Sequence, residues 1–557
     1  MENNRRTKVW LPFIIAASIA VGIFIGNYYK VLSGKQQGRA FSNGDKISAI
    51  LGIINEQYVD TVNMNDLIEN TIPKIFGELD PHSVYIPAKD LADVNEELDG
   101  SFSGIGVSFN MQTDTIMVIS VISGGPAEKA GILPFDRIIT INDSLFAGTN
   151  KSQEKIMKSL RGAKNSTVKL GIKRGLSDEL LQINVTRGDV PVKSVDVCFT
   201  PAEGIGFIKV SKFGRTTYNE FLTAIAKLKQ QGVNSFIIDL RDNTGGFMDA
   251  AINMVNEFMP EGKLIVYTEG KSFPRSDVYA NGTGTCKDAE IVVLTNEISA
   301  SASEIFSGAI QDNDRGMIIG RRTFGKGLVQ NQIPLNDGSA FRLTIARYYT
   351  PSGRCIQKDY KMGDDEDYEQ DIYNRYLHGE FYSADSIKLD DNLKYSTFGG
   401  RTVYGGGGIM PDIFIPRDTS GITTYYKNVV NTGVLHLYAL RYSDANHEKL
   451  SSFGTYEELL AYLQTQPLLS DFTDFAATQG IAKRPTLINI SGKLITLQLQ
   501  AYIIRNFFDD DGFYPVFLKD DPTLKKAIDV LKSGSARPVL GNAGDNVAGN
   551  GVASTEN

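Results

Sequence analysis

The sequence predicts an α/β core, a mixed sheet with flanking helices, carrying an inserted β-rich module and helical regions at both ends. Three observations support this. The apolar runs Phe236 to Leu240 and Ile291 to Thr295 each lead through a polar or small-residue loop into a helical segment, near Met248 to Phe258 and near Ser303 to Gln311. Strand, loop and helix recurring in that order give parallel strands whose carboxyl-end loops build a site. Upstream, short alternating segments separated by glycine turns read as strands. Ile47, Leu51, Ile54 and Tyr58 stand at helical spacing before them.

At the amino terminus, Arg5, Arg6 and Lys8 precede an apolar stretch spanning 9–29, about the 20 residues needed to cross a bilayer. Positive residues ahead of the span favour a cytoplasmic start with the rest of the chain outside. Pro12 falls in the first turn, where it is tolerated. No small-x-small cleavage site follows, which favours a retained anchor over a cleaved signal peptide. The expectation is a single-pass protein of a bacterial inner membrane with its bulk in the periplasm. Residues 41–98 then read as mainly helical.

Residues 101–187 form the β-rich module. Phe102-Ser-Gly-Ile-Gly-Val-Ser-Phe109 is followed by alternating Ile116 to Ile122, then Gly-Gly-Pro-Ala-Glu-Lys-Ala-Gly131 and Asp136-Arg-Ile-Ile-Thr-Ile-Asn142. This order resembles a PDZ domain, which adds a peptide as an extra strand and caps its terminal carboxylate with backbone amides. The resemblance makes Gly104, Ile105, Gly106 and Val107 the carboxylate-binding loop. Phe135 departs from the pattern, standing where a glycine often precedes the aspartate.

The core, residues 190–416, carries the chemistry. Ser299-Ala-Ser-Ala-Ser-Glu304 follows an apolar strand and opens a helix, and Phe324-Gly-Lys-Gly-Leu-Val-Gln330 places a lysine between glycines. Serine and lysine together make a nucleophile and its base without histidine. Each piece also has a plain reading. Ser301-Ala-Ser-Glu304 fits a capping box, and the lysine motif fits a tight surface turn. The readings are compatible, because the amides of a helix N-terminus stabilise a developing oxyanion. Leu240-Arg-Asp-Asn-Thr-Gly-Gly246 reads as a strand ending in a double-glycine turn, which lets backbone approach a substrate closely.

Leu-Arg-Asp-Asn-Thr-Gly-Gly246, Ser-Ala-Ser-Ala-Ser-Glu304, Arg-Thr-Phe-Gly-Lys-Gly327 and Tyr-Thr-Pro-Ser-Gly-Arg354 together resemble the carboxyl-terminal processing peptidases, also called tail-specific proteases. The resemblance runs from about Asp80, in Leu-Asp-Pro-His-Ser83, to about Pro416. It implies Ser301 as nucleophile, Lys326 as general base and Gln330 as the residue orienting that lysine. It implies an oxyanion hole from the amides of Ala302 and the double glycine, Gly246 rather than Gly245. Ser299 and Ser303 remain rival nucleophiles on sequence grounds. Ile298 stands where the family usually has glycine. Lys326, Leu328 and Gln330 alternate on one face if their segment is a strand. The lysine must be neutral to accept a proton, so burial in a small apolar pocket lined by Ala300 and Ala302 must lower its pKa.

The implied function is a serine endopeptidase that recognises the carboxyl-terminal tails of protein substrates and hydrolyses peptide bonds through an acyl-enzyme. The alternatives are a catalytically silent PDZ scaffold of the cell envelope and a Ser-Lys esterase or amidase. The resemblance also implies a dimer or ring through the helical terminal regions. No cofactor or metal is called for: no metal-ligand spacing, phosphate loop or dinucleotide fingerprint occurs. A net charge of -8 without a basic stretch offers nothing for nucleic acid. The three cysteines, Cys198, Cys286 and Cys355, exclude a disulfide scaffold, and Cys286 with Cys355 is the expected couple if any pair forms. Asp359 to Asp391 is acidic and tyrosine-rich, an inserted loop or short helical excursion. Residues 418–533 read as a further helical region, and 535–557, rich in Gly, Ala and Asn, as a disordered tail.

Overall fold

The computed structural model describes residues 16–25, 43–112, 115–175 and 179–537. The ends of the expected anchor and residues 538–557 of the expected tail lie outside the described residues. The chain divides into two compact units, Met1–Lys74 and Ile75–Asn557. In the first, the apolar helix Ala16–Ile25 is exposed, and in the helix Asn43–Gln57 Ile47 is exposed while Leu51 and Ile54 are half-buried.

The second unit is built on a sheet ordered Val195–Ala202, Ile205–Val210, Ser235–Asp239, Glu290–Thr295, Met317–Gly320, Ile413–Phe414. The first pair is antiparallel and the remaining neighbours are parallel. Side chains alternate across a strand. Phe236, Ile238, Ile291 and Val293 therefore pack on one face against the helices Thr217–Gln230, Met248–Asn256 and Ala302–Asp312. In the first of these helices the buried Phe221, Ala224, Ile225 and Leu228 form a single stripe at helical spacing.

On the other face Ile237, Val292, Leu294 and Ile319 meet Leu524, Ala527, Val530 and Leu531 of the helix Pro522–Lys532. The last helix of the 418–533 region is thus a layer of the core. The rest of that region packs around the long helix Pro485–Phe517, which is kinked where Asp509 takes φ 48°.

A second, antiparallel sheet joins Leu264–Gly270, Phe273–Tyr279, Leu328–Pro334 and Ala340–Tyr349 with Val84–Ile86. The segment expected to be mainly helical therefore also supplies a strand, and that strand brings Asp80 to Ser83 to the core. The β-rich module is entered and left through one antiparallel pair, Ser101–Gly104 with Gly188–Pro191. Its main sheet runs Val107–Gln112, Thr115–Val121, Arg137–Ile141, Thr167–Lys173, Leu181–Thr186 around a core that includes Ile116, Val118, Ile138 and Leu170.

Phe135 takes φ 69°, in the left-handed region that favours glycine. Its ring is buried against Met117, Leu440 and Phe507, which docks the module on the C-terminal helices. All three cysteines are free thiols, so neither Cys286 and Cys355, the couple favoured if any pair formed, nor any other two are joined. Cys286 is tied to the Glu257 carbonyl and Cys355 to the turn at Gly406, on different loops.

Candidate active site

The strand Glu290–Thr295 ends in a short loop that delivers Ser301 to the start of the helix Ala302–Asp312. Ser301 takes φ 55°, ψ -114°, a conformation that costs a non-glycine residue about 1–3 kcal/mol and persists only where its surroundings enforce it. The enforcing contacts are specific. The Ser301 N–H donates to Glu304 Oε2 at 2.9 Å, and the Ala300 N–H donates to the Asn243 carbonyl at 3.0 Å. The two rival serines are buried and their hydroxyls are committed: Ser299 Oγ donates to the Leu240 carbonyl at 2.8 Å and Ser303 Oγ to the Asn243 carbonyl at 2.9 Å. Ser301 is half-buried and reachable.

The double glycine packs directly on this turn. Gly245 and Gly246 have φ 104° and 139°. A Cβ on Gly245 would lie 2.7 Å from the Ser301 Cβ, and one on Gly246 would lie 2.2 Å from the Phe213 carbonyl oxygen. The Gly245 N–H is committed to Asn243 Oδ1 at 2.8 Å. Among the described residues no protein acceptor pairs with the N–H of Gly246 or of Ala302.

Lys326 Nζ donates to Gln330 Oε1 at 3.0 Å. The regular strand starts only at Leu328, and its pairing with Ala340–Tyr349 shifts register between Val329 and Gln330. The expected uninterrupted alternation from 326 to 330 is therefore absent, although the two side chains meet. Burial lowers the Lys326 pKa to about 8, helped by the Arg342 guanidinium and opposed by Asp80 and Glu304. The surroundings of the amine thus include charged groups as well as apolar ones.

Glu304 stands at the centre. It is fully buried and accepts four hydrogen bonds: at Oε2 from the N–H groups of Ser301 (2.9 Å) and Lys326 (2.8 Å), at Oε1 from the Gly325 N–H (2.8 Å) and Thr323 Oγ1 (2.5 Å). Burial pushes its pKa up to about 7 against these donors. The Tyr348 hydroxyl lies within hydrogen-bond reach of two carbonyls, that of Lys326 and, at 3.0 Å, that of Ser301.

Sequence reasoning missed His82 and Tyr368. Gln330 Nε2 donates to the His82 carbonyl. The His82 ring nitrogen Nε2 lies 2.9 Å from the Tyr368 hydroxyl. Burial, then the nearby Lys326, lowers the His82 pKa to about 4, so the ring is neutral at pH 7. Tyr368 belongs to the helix Asp365–Leu377, which is the acidic, tyrosine-rich insertion. The available signal was the Leu-Asp-Pro-His-Ser83 motif, which marked the start of the family-like stretch without indicating a role.

Gly104, Ile105, Gly106 and Val107 lie in the β-rich module, where Gly104 ends one strand and Val107 opens another. The Ile105 carbonyl accepts from the Ala127 N–H at 2.7 Å and the Gly106 carbonyl from the Ile122 N–H at 2.9 Å. Val107–Gln112 is an edge strand, paired on one side with Thr115–Val121.

Comparison with known proteins agrees with this architecture. A model of peptidase family S41 matches residues 204–369, one of the PDZ domain matches 103–185, and one described only as a family of unknown function matches 425–509. The chain is 34% identical over 345 residues to a probable CtpA-like serine protease of Staphylococcus aureus (strain MRSA252), covering 62% of this chain and 68% of the relative. It is 35% identical over 345 residues to the protein of the same description from Staphylococcus haemolyticus (strain JCSC1435), with the same coverage. Among solved structures, the photosystem II D1 C-terminal processing protease aligns at 24% identity with a TM-score of 0.34, covering 66% of this chain and 91% of that one. With a PDZ module preceding the peptidase core and serine protease relatives 34% identical over 345 residues, the chain belongs to peptidase family S41, as a serine-type peptidase of the carboxyl-terminal processing kind.

Proposed function

We propose that the chain is an endopeptidase in which Ser301 attacks the substrate carbonyl while Lys326 takes the serine proton. The Oγ–C bond forms, the carbonyl oxygen becomes an oxyanion, and the amides of Ala302 and Gly246 stabilise it. Collapse of the tetrahedral intermediate breaks the C–N bond, and the Lys326 ammonium returns its proton to the leaving amine. Water, activated by the same lysine, then hydrolyses the acyl-enzyme. The observation that carries this reading is the state of Lys326: a half-buried amine whose hydrogen-bond partner is a neutral amide oxygen and whose pKa is about 8. At pH 7 roughly a tenth of such lysines are neutral, enough for a general base near its optimum. Ser301, alone of the three serines in its run, combines a strained backbone with a reachable side chain. Gln330 holds the amine, and its own amide is held by His82.

The PDZ module supplies substrate selection in this reading. A carboxyl-terminal tail adds to the edge strand Val107–Gln112, and the amides of the 104–107 loop receive its carboxylate. The apolar segment around the Ala16–Ile25 helix, preceded by Arg5, Arg6 and Lys8, anchors the enzyme in a bacterial inner membrane with its catalytic part in the periplasm.

The test is cleavage of an unstructured protein bearing an apolar carboxyl-terminal tail by the full chain, beside Ser301→Ala and Lys326→Ala. Cleavage by the wild type alone supports the dyad. Undiminished cleavage by either variant removes it.

A further inference from the structure

We propose that Asp521, in the C-terminal helical layer, is a positioning residue of the peptidase site, acting through Arg241 on the loop that carries Gly246. The inference rests on the Ser301–Lys326 reading above.

Asp521 is the N-cap of the helix Pro522–Lys532. Its Oδ1 accepts the Leu524 N–H at 2.7 Å, and its Oδ2 accepts from Arg241 Nη1 at 2.7 Å. Arg241 spends its other donors on Asp239 at the end of the strand Ser235–Asp239: Nε to Oδ1 at 2.9 Å and Nη2 to Oδ2 at 2.7 Å. The guanidinium therefore bridges a core strand and the C-terminal layer, three of its five N–H donors being used on the two carboxylates. The backbone of the same residue is fixed by Lys209 Nζ, which donates to the Arg241 carbonyl at 3.0 Å.

The loop that follows needs such anchoring. Asp242, Gly245 and Gly246 all have positive φ, at 64°, 104° and 139°. Asp242 is non-glycine there and is clasped by Asn296, which accepts its N–H at 3.0 Å and donates Nδ2 to its Oδ1 at 2.8 Å. Conformations of this kind hold only where the surroundings over-determine them. A cavity of about 450 Å³ opens beside the clamp, lined by Asp239, Arg241, Asp242, Asn296, Glu297 and Asp521 among others. Without Asp521, Arg241 keeps its bonds to Asp239 but loses its tie to the C-terminal layer, and the register of the Gly246 amide against Ser301 relaxes with that loss.

Asp521→Ser in the full chain separates cap from clamp, since serine still caps the helix but cannot reach the guanidinium as a carboxylate does. The readouts are kcat, KM, Tm and inhibition by a peptide aldehyde, whose hemiacetal with Ser301 copies the tetrahedral intermediate. The expected kcat loss is about tenfold, short of the ~10²–10³ that follows outright removal of an oxyanion donor. KM stays within about twofold and aldehyde inhibition weakens in step with kcat. Asp521→Glu restores part of the loss. Wild-type kcat and aldehyde affinity in Asp521→Ser overturn the proposal. So does a kcat loss matched by the fall in folded fraction, a case that Arg241→Lys, which leaves the cap untouched, checks independently. Inactive Ser301→Ala and Lys326→Ala controls beside an unaffected Asp521→Ser sink this link alone, whereas active controls sink the dyad reading and the link with it.

Discussion

Glu304 and Lys326 are joined through the backbone: the lysine N–H donates to Glu304 Oε2 at 2.8 Å, and the same oxygen accepts the Ser301 N–H at 2.9 Å. One buried carboxylate thus sets the spacing between the serine turn and the lysine turn. The capping contacts of Ser301-Ala-Ser-Glu304 are compatible with the proposed catalytic role of Ser301, because the glutamate that satisfies the helix start also reaches across to the lysine segment.

Glu304→Gln replaces one acceptor oxygen by an NH₂ group, leaving two donors facing a donor. Each unpaired buried group costs about 1–3 kcal/mol, so a loss of roughly 2–6 kcal/mol is expected. Urea unfolding of the variant measures it, and a change within about 0.5 kcal/mol would show that water or a side-chain flip replaces the lost acceptor.

The pKa of Lys326, about 8, fixes the direction of the pH dependence. In the proposed dyad the amine is a base only when neutral, so kcat/KM is expected to rise as pH increases through about 8. Gln330→Glu sets an opposite charge on the ammonium, favours the charged form, and moves this limb to higher pH by about one unit or more. The same shift has a stability consequence. The folded pKa lies below the ordinary 10.5, so between about 8 and 10.5 the unfolded chain binds the proton and the folded chain does not. Stability from this group therefore increases with pH across that window. Lys326→Met flattens that part of the profile, and an unchanged slope in the variant would assign the dependence to other groups.

Gly245→Ala tests how closely the double glycine packs on Ser301, the proposed nucleophile. The new Cβ would lie 2.7 Å from the Ser301 Cβ and 3.0 Å from the Ala302 nitrogen, at a φ of 104° that alanine rarely adopts. The serine turn or the glycine turn must shift, and a misplacement of about 1 Å can cost about 10²-fold in rate. The expected outcome is a folded protein, by circular dichroism, with kcat reduced by that order. Near-normal kcat would mean that the turn has slack that the packing does not suggest.

What was legible in the sequence was local. The serine run, the Phe-Gly-Lys-Gly turn and the double glycine each lie within a few residues, and their strands and helices follow from apolar periodicity. The groups that complete the site arrive from distant segments. His82 reaches Gln330 only because Val84–Ile86 joins the second sheet beside Ala340–Tyr349. Tyr368 reaches His82 from an insertion whose acidic, tyrosine-rich sequence reads only as a loop or short helical excursion. The Lys326–Gln330 contact was expected from ideal alternation, yet it is made across an irregular turn and a register shift, because Glu304 and Tyr348 dictate the backbone there. Tertiary hydrogen bonds to a buried carboxylate override a period-2 pattern.

Phe135 shows the same override at the join between the PDZ module and the C-terminal helices. At φ 69° it bears strain that a glycine would not, about 1–2 kcal/mol for a residue in the left-handed region. In return its ring packs against Met117, Leu440 and Phe507 and lies 5.0 Å from the His447 ring, edge to face. Beside it Arg137 Nη2 pairs with Asp444 Oδ2 at 2.5 Å. Losing a buried Phe side chain costs about 3–5 kcal/mol, so Phe135→Gly, which relieves the strain and removes the ring, has an expected net cost of about 1–4 kcal/mol. The loss is shared by two bodies. Hydrogen exchange is expected to speed up both in the strand Thr115–Val121 and in the helix Val434–Ala445. Faster exchange in the strand alone would mean that the ring stabilises the PDZ module without coupling it to the helices.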